Sequence, residues 1–296
     1  MKREAVRIPV RPSAARMSPW DWSRRAERTA PSRRRRMLVH VLLVALADIP
    51  PTAALRAQTT ITTDTTVSTD TALGYSVVTG GATLTLDGGA STGTTLSIGS
   101  DPDYGGVAPL AGGLLLTNGA TLTLSYPDYP YGVLSVGVGE ASGPAIATIT
   151  GAGTQLTAWG VAVGMYNSVG SLTISDGGSL VTTGDISRIG GPAIGFWLGR
   201  QEGTGSGTIT VTGAGSSWVD HAGAVAIGGA PGAGRLVVSD GATATFSGIL
   251  LLGAGNTGAL EIRGAGSAVS ASLFTGDTGS ATLTVADGGV FAGTIS

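Results

Sequence analysis

The chain has 296 residues, of which 50 are glycine, and it contains no cysteine. Residues 1–57 hold 13 basic and 4 acidic residues, a net charge of +9, whereas residues 58–296 hold 4 basic and 15 acidic residues, a net charge of −11. The absence of cysteine excludes a disulfide scaffold and a thiolate metal site. The acidic second part lacks the basic groups that neutralise phosphates, so we expect no nucleic acid as a partner.

The first 57 residues have the pattern of an export signal. Arg33–Arg36 precede an apolar run, Leu38–Ala47, which would rise about 15 Å as a helix and is too short to cross a bilayer core of about 30 Å. A basic flank, a short apolar core and a small residue near a polar boundary predict a helical or disordered signal segment that is cleaved after Ala57. Residues 1–36 are then an extended n-region or the result of a misassigned start codon.

Residues 58–296 contain an internal repeat. Two kinds of corner alternate along the chain, Asp/Asn-Gly and Gly-Ala-Gly, and each follows an aliphatic residue by two positions. These corners begin at residues 118, 151, 176, 213, 240, 264 and 287, with an eighth, shorter copy in Thr83–Gly88. The segment before each corner alternates polar and apolar residues, as in Thr208–Thr212, which predicts half-buried strands.

A second short strand follows each corner, and a third is visible in several copies, as in Val161–Gly164 and Val225–Gly228. The corners recur every 23 to 37 residues, which suits one solenoid coil of two or three strands. One coil cannot bury its apolar side chains alone, but stacked coils share a continuous core. The sequence therefore predicts an all-β, right-handed parallel β-helix (a β-solenoid) of about eight coils within residues 58–296.

Two segments, Gly170–Gly178 and Thr210–Trp218, resemble the passenger repeats of bacterial autotransporter (type V secretion) proteins. The resemblance implies transport by the export machinery, a surface-exposed β-helix and a C-terminal outer-membrane barrel. This chain stops in mid-repeat at Ser296, so we expect a truncated passenger from which the barrel is missing. The expected location is the cell surface or outer membrane if a barrel follows, and otherwise the periplasm or the medium.

The resemblance also implies a non-enzymatic stalk or adhesin-like module whose partner is a host or glycan surface. One apparent cofactor motif, Gly253–Gly258, matches the G-x-G-x-x-G fingerprint, which requires a helix after the glycine loop. The residues that follow it alternate like a strand, so we expect no cofactor there. His221 is the only histidine after residue 57, and we expect it in a solvated loop rather than in a catalytic or metal site.

Two stretches interrupt the repeat and could carry function, because binding residues are concentrated in loops. The longest interval between corners contains Phe196, Trp197 and Arg200, which we predict to form a partner-contact loop. The other stretch is Ser125–Tyr131, which is rich in tyrosine and proline. Both could instead be tolerated insertions.

Two alternative functions use the same scaffold. A polysaccharide-acting enzyme would use the close acid pair Asp101 and Asp103 together with Arg200. An ice-binding solenoid would use outward threonine pairs such as Thr148 and Thr150, although Glu261 and Arg263 interrupt that plane.

Overall fold

The computed structural model describes residues 5–7 and 58–296, apart from 100–110, 126–132, 140–143, 166, 185, 191–203, 222, 230–231 and 277–278. The chain divides into two compact units, Met1–Pro12 with Ala57–Ser296, and Ser13–Arg56. The second unit lies outside the described residues. The fold below is that of the first unit.

The described residues form strands joined by short turns. The strands are β1 (Ala5–Arg7), β2 (Gln58–Ile61), β3 (Thr65–Val67), β4 (Thr71–Val78), β5 (Thr83–Asp87), β6 (Ala90–Ile98), β7 (Gly112–Thr117), β8 (Thr121–Leu124), β9 (Val133–Val138), β10 (Ala145–Thr150), β11 (Gln155–Ala158), β12 (Gly160–Met165), β13 (Val169–Ser175), β14 (Ser179–Thr182), β15 (Ile186–Ile189), β16 (Ser206–Thr212), β17 (Ser217–Asp220), β18 (Ala224–Ile227), β19 (Ala233–Ser239), β20 (Thr243–Leu252), β21 (Thr257–Arg263), β22 (Ala268–Thr275), β23 (Ser280–Ala286) and β24 (Val290–Ile295).

Three faces of parallel strands run along the solenoid. Face 1 is the sheet β23-β21-β19-β16-β13-β10-β7-β5-β3, with β1 added at the β23 edge. Face 2 contains β8, β11, β14 and β17, and face 3 contains β2, β9, β12, β15 and β18. Longer strands such as β20 turn the corner, because Thr243–Phe246 pair with β17 on face 2 and Ile249–Leu252 pair with β18 on face 3.

This arrangement confirms the all-β parallel β-helix that the repeat predicts. The described strands complete nine coils, since one coil, β3–β4, precedes the first copy recognisable in the sequence. The estimate of about eight coils therefore missed the first one. In that coil, Asp64 and Asp70 accept hydrogen bonds at 2.8 Å from the backbone N–H groups of Thr83 and Ala90. In the next coil the backbone carbonyls of Ala82 and Gly89 accept the equivalent bonds. The corner of the first coil contains no glycine, whereas that of the next coil is Asp87-Gly88-Gly89.

The core lies between the three faces and continues from coil to coil. Alternate residues of each strand point inward, as the period of two predicts, and the aliphatic residues before the corners stack in one column. Leu116, Ile149, Ile174, Val211 and Val238 in this column are all fully buried. On face 2 the ring of Trp218 meets that of Phe246 edge to face, with centroids 5.0 Å apart. Each coil thus completes the burial of its neighbours.

The two corner sequences form two turn types. In the first, Asp176 and Gly177 both have positive φ, at 52° and 84°, as a type I′ turn requires, and the N–H of Gly178 closes the turn on Ser175 O at 2.8 Å. In the second, Gly215 alone has positive φ among Ala214, Gly215 and Ser216, which suits a type II turn. Glycine supplies these conformations without steric cost, which explains why it recurs at the corners.

The leader was expected to be helical or disordered, and only three of its residues are described. Ala5–Arg7 form strand β1, which pairs antiparallel with β23, placing Val6 opposite Leu283. The expectation is wrong for these three residues. The remainder of the predicted signal, including Leu38–Ala47, lies outside the described residues.

Candidate functional surface: the outward side of face 1

Three columns of outward side chains cross the coils on face 1. In the central column, Thr148, Thr173 and Thr210 lie opposite one another on β10, β13 and β16. Neighbouring parallel strands are about 4.8 Å apart, so this column presents evenly spaced hydroxyl groups along the solenoid axis. The three side chains are partly exposed, and their hydroxyls make no hydrogen bond to any residue that the structure describes. The central column is therefore available to a ligand.

The column nearest the corners uses its hydroxyls differently. Thr150 donates to the carboxylate of Asp176 at 3.0 Å, and Thr212 donates to that of Asp240 at 2.8 Å. Ser239 lies beside Thr212 and also donates to Asp240, at 2.9 Å. These hydroxyls hold the carboxylates of the type I′ corners against the preceding coil, so this column stabilises the fold.

The surroundings of Asp240 favour its ionised form. Hydrogen bonds from Thr212 and then Ser239 lower the pKa of this carboxyl below its ordinary value of 3.8, and the positive charge of Arg263 acts in the same direction. Desolvation raises the pKa of this carboxyl, but its effect is smaller than that of either hydrogen bond and larger than that of the Arg263 charge. Asp240 therefore remains a carboxylate down to acidic pH.

A charged cluster ends the threonine column. After Thr210 the column continues with Val237 and then Glu261. Arg235 Nε donates to Glu261 Oε1 at 2.7 Å, and Arg263 Nη2 contacts the other oxygen of the same carboxylate. The interruption expected from Glu261 and Arg263 is thus present in the structure. The uninterrupted row of threonines in this column is therefore limited to β10, β13 and β16, because Leu115 precedes it and Val237 and Glu261 follow it.

One buried polar group was not anticipated from the sequence. Asp220 lies inside the solenoid with no solvent exposure, and its carboxylate accepts a hydrogen bond from the hydroxyl of Thr182. That hydroxyl accepts a hydrogen bond from Trp218 Nε1 at 3.0 Å. The strand alternation could have revealed this, since Asp220 follows the inward Trp218 by two residues. The chain of bonds links two adjacent coils through the core.

The predicted partner-contact residues Phe196, Trp197 and Arg200 lie outside the described residues, in the segment that joins β15 to β16. Asp101 and Asp103 also lie outside, in the segment that joins β6 to β7. The Tyr126–Tyr131 part of the tyrosine-rich stretch lies outside the described residues as well. The partner-contact prediction remains a prediction.

The structure also places the other two motifs considered in the sequence, His221 and Gly253–Gly258. His221 is exposed, and its backbone N–H donates to Thr182 O at 2.8 Å. The Gly253–Gly258 loop joins β20 to β21, so a strand and not a helix follows it. Within the described ranges, no group of three or more His, Cys, Asp or Glu side chains could hold a metal ion. The same residues contain no helix that is long and apolar enough to cross a membrane.

Comparison with protein-family models, with curated proteins and with solved structures finds no match to this chain.

Proposed function

We propose that this chain is an exported, non-enzymatic passenger segment that acts as a stalk or adhesin-like module and presents the threonine column of face 1 to a carbohydrate surface. The observation that carries the proposal is the in-register row Thr148, Thr173 and Thr210, whose hydroxyls make no bond to a described residue. The autotransporter-like repeats and the signal-like leader support export.

The scaffold suits a stalk because the nine coils share one core and are tied together at their corners. Eight strand spacings separate β3 from β23 on face 1, a rise of about 38 Å at about 4.8 Å each. The corner bonds of Asp176 and Asp240 reach the preceding coil, so bending would break several interactions together. A rigid support of this kind holds a binding surface away from its attachment point.

The hydroxyl column suits a carbohydrate because each hydroxyl can both donate and accept a hydrogen bond. A glycan chain that lies along the axis would meet a threonine at every coil from β10 to β16. Each contact is weak in water, at about 0.5–1.5 kcal/mol, so affinity would come from repetition along the chain.

Export is tested with the full chain expressed in a Gram-negative host. We expect protein outside the cytoplasm whose first residue is Gln58, as read by N-terminal sequencing. The matched variant L42R/L43R charges the apolar run and should keep the uncleaved chain in the cytoplasm. If the unaltered chain stays in the cytoplasm with its leader intact, the export part of the proposal fails.

Carbohydrate binding is tested with the triple variant T148V/T173V/T210V, since valine keeps the threonine shape and strand preference but removes the hydroxyl. Its control is T92V/T123V/T157V, which removes three hydroxyls that are in register on face 2. Affinity electrophoresis in dextran, xylan and soluble chitin should show retardation that only the face 1 variant loses. Equal retardation of all three proteins, or none for any, would contradict the proposal.

Ice is a second candidate ligand, which the same regular threonine row favours. The row is only three coils long before Val237 and Glu261 interrupt it. Thermal hysteresis of the purified chain that disappears in T148V/T173V/T210V and persists in the face 2 control would support ice binding. A freezing point equal to that of a buffer with the same osmolality would remove this candidate.

A further inference from the structure

One corner of the solenoid carries the sequence Asn-Gly. Asn118 and Gly119 form the type I′ turn between β7 and β8, with φ of 54° and 76°. The chain has three asparagines, and this is the one that glycine follows, since Ser168 and Thr257 follow the other two. Glycine has no Cβ and leaves its own backbone nitrogen sterically open. Asn-Gly is therefore the sequence in which an asparagine side chain reacts most readily with the next backbone nitrogen.

The reaction needs only the residues of this turn and water. The backbone nitrogen of Gly119 attacks Cγ of Asn118, the Cγ–Nδ2 bond breaks, and the amide group leaves as ammonia with the proton that the Gly119 nitrogen gives up. Water then opens the resulting cyclic imide at either of its two carbonyl carbons. Opening at one carbon gives aspartate, and opening at the other gives isoaspartate, which adds a carbon atom to the main chain. No oxidant or reductant takes part.

Two neighbouring coils hold the two reacting groups. The hydroxyl of Thr154 on the next coil accepts a hydrogen bond from the attacking N–H of Gly119 at 3.0 Å. The carboxylate of Asp87 on the preceding coil accepts a hydrogen bond from Asn118 Nδ2 at 2.5 Å. Attack requires that the N–H is released and that the amide turns toward it, so both bonds oppose the reaction. Thr154 is only 1% exposed, which shields its hydroxyl from competing water.

The preceding coil explains why this corner carries an amide. At the corner after β13, the carboxylate of Asp176 accepts a hydrogen bond from the hydroxyl of Thr150 on the preceding coil. At the corner after β7, the preceding coil offers the carboxylate of Asp87 instead of a hydroxyl. An amide can donate to this carboxylate, whereas a second carboxylate can only accept. Deamidation of Asn118 would therefore replace a donor by a charge that Asp87 repels.

We propose that Asn118-Gly119 is a deamidation site of this chain, at which Thr154 and Asp87 keep the reaction slow while the coils stay stacked. The site is independent of the proposed carbohydrate ligand. Opening of the corner frees both reacting groups together, and the aspartate product opposes closure because its carboxylate faces that of Asp87. Isoaspartate also lengthens the main chain of a tight turn and shifts it relative to both neighbouring coils. The modification therefore records covalently that this corner has opened.

The test follows Asn118 by peptide mass spectrometry in the full chain, kept in mildly alkaline buffer. Thr154→Val keeps the side-chain shape but removes the accepting hydroxyl. Deamidation should then accelerate about fivefold, the factor that corresponds to one net hydrogen bond. Thr154→Ser retains a hydroxyl, as serine supplies at two equivalent corners, and should react as slowly as the unaltered chain.

Ser216→Ala separates local protection from a general loosening of the stack. It removes the same bond at Gly177, whose corner begins with Asp176, and should leave the rate at Asn118 unchanged. The chain unfolded in urea gives the unprotected rate, which should exceed that of every folded form. The proposal is overturned if the unfolded chain reacts no faster than the folded one, or if Thr154→Val matches the unaltered chain. Equal acceleration by Ser216→Ala and Thr154→Val would also overturn it.

An exchange of side chains tests the part assigned to Asp87. Asn118→Asp is identical to one product of the reaction and should lower Tm at neutral pH, because two carboxylates then meet. Asp87→Asn in the same chain exchanges the amide and the carboxylate, and it should restore most of the loss. If Asn118→Asp is as stable as the unaltered chain, or if the exchanged pair is no more stable than Asn118→Asp alone, the role of Asp87 is wrong.

Discussion

The backbone N–H of Gly177 donates to the side-chain hydroxyl of Ser216, 39 residues later in the chain, at 3.0 Å. Gly177 belongs to a type I′ corner and Ser216 closes the type II corner of the next coil. The same bond joins Gly119 to Thr154 and Gly241 to Ser267, each at 3.0 Å. The alternation of the two corner sequences therefore has a physical basis. Each type I′ turn supplies a backbone N–H, and the type II turn of the next coil supplies the hydroxyl that accepts its hydrogen bond.

Removal of the accepting hydroxyl of Ser216 should weaken this contact between successive coils. Ser216→Ala leaves the N–H of Gly177 without its partner in a part-buried corner, and we expect a loss of about 1–2 kcal/mol in the free energy of unfolding. Ser217→Ala is the matched control, because Ser217 points outward from face 2. Urea unfolding measures both variants. A Ser216→Ala loss no larger than that of the control would contradict the role of the bond.

The buried chain of hydrogen bonds through Thr182 should be sensitive to an isosteric change. Thr182→Val keeps the side-chain volume but deprives Trp218 Nε1 of its acceptor and Asp220 of a donor inside the core. We expect a destabilisation of about 1–3 kcal/mol by urea unfolding. Thr157→Val, which points outward on β11, should change stability by less than about 0.5 kcal/mol. Equal effects at the two sites would show that the buried bonds contribute nothing.

Asp240 should make the stability of the solenoid depend on pH. Its pKa is lowered in the folded state, so its contribution is present above the ordinary value of 3.8 and is lost as the pH falls through the lower folded value. Asp240→Asn should therefore lower Tm at pH 6, and the difference from the unaltered chain should shrink at pH 3. Asp287→Asn is the control, because Ala286 and Arg263 replace the two hydroxyl donors at that corner. A Tm difference for Asp240→Asn that is the same at both pH values would contradict the assignment.

The close approach of successive coils predicts a steric effect at Gly207. A Cβ at this position would lie 2.1 Å from the backbone oxygen of Val163 on β12, so Gly207→Ala forces backbone atoms apart. We expect a loss of at least about 2 kcal/mol in the free energy of unfolding, in the range of other overpacked sites. Thr208→Ala, the next residue along and outward-facing, should cost less. A stable Gly207→Ala variant would mean that the coils are less tightly stacked.

The fold was predictable because its signals are local and repeated. The alternation in Thr208–Thr212 and its counterparts fixes which residues point inward, and the corner sequences mark the ends of the strands. The first coil was missed because its sequence has no glycine corner. There the side chains of Asp64 and Asp70 accept the hydrogen bonds from the next coil that backbone carbonyls accept in later coils.

The functional surface was less predictable. The outward position of Thr148 and Thr150 followed from the strand period, but only the structure distinguishes the hydroxyl bound to Asp176 from the one that is available to a ligand. The contact between Arg235 and Glu261 joins residues 26 positions apart on neighbouring coils, and it depends on a coil length that varies along this chain. No pattern within either strand indicates such a pair.

The most direct test of the stacked rod is a distance between its ends. Thr66 and Thr284 occupy the same outward column on β3 and β23. The chain has no cysteine, so Thr66→Cys/Thr284→Cys can be spin-labelled at these two sites alone. Double electron–electron resonance should give one narrow distance distribution centred near about 40 Å, from eight strand spacings of about 4.8 Å. A broad distribution, or one centred below about 25 Å, would contradict nine coils stacked at the strand spacing of a parallel sheet.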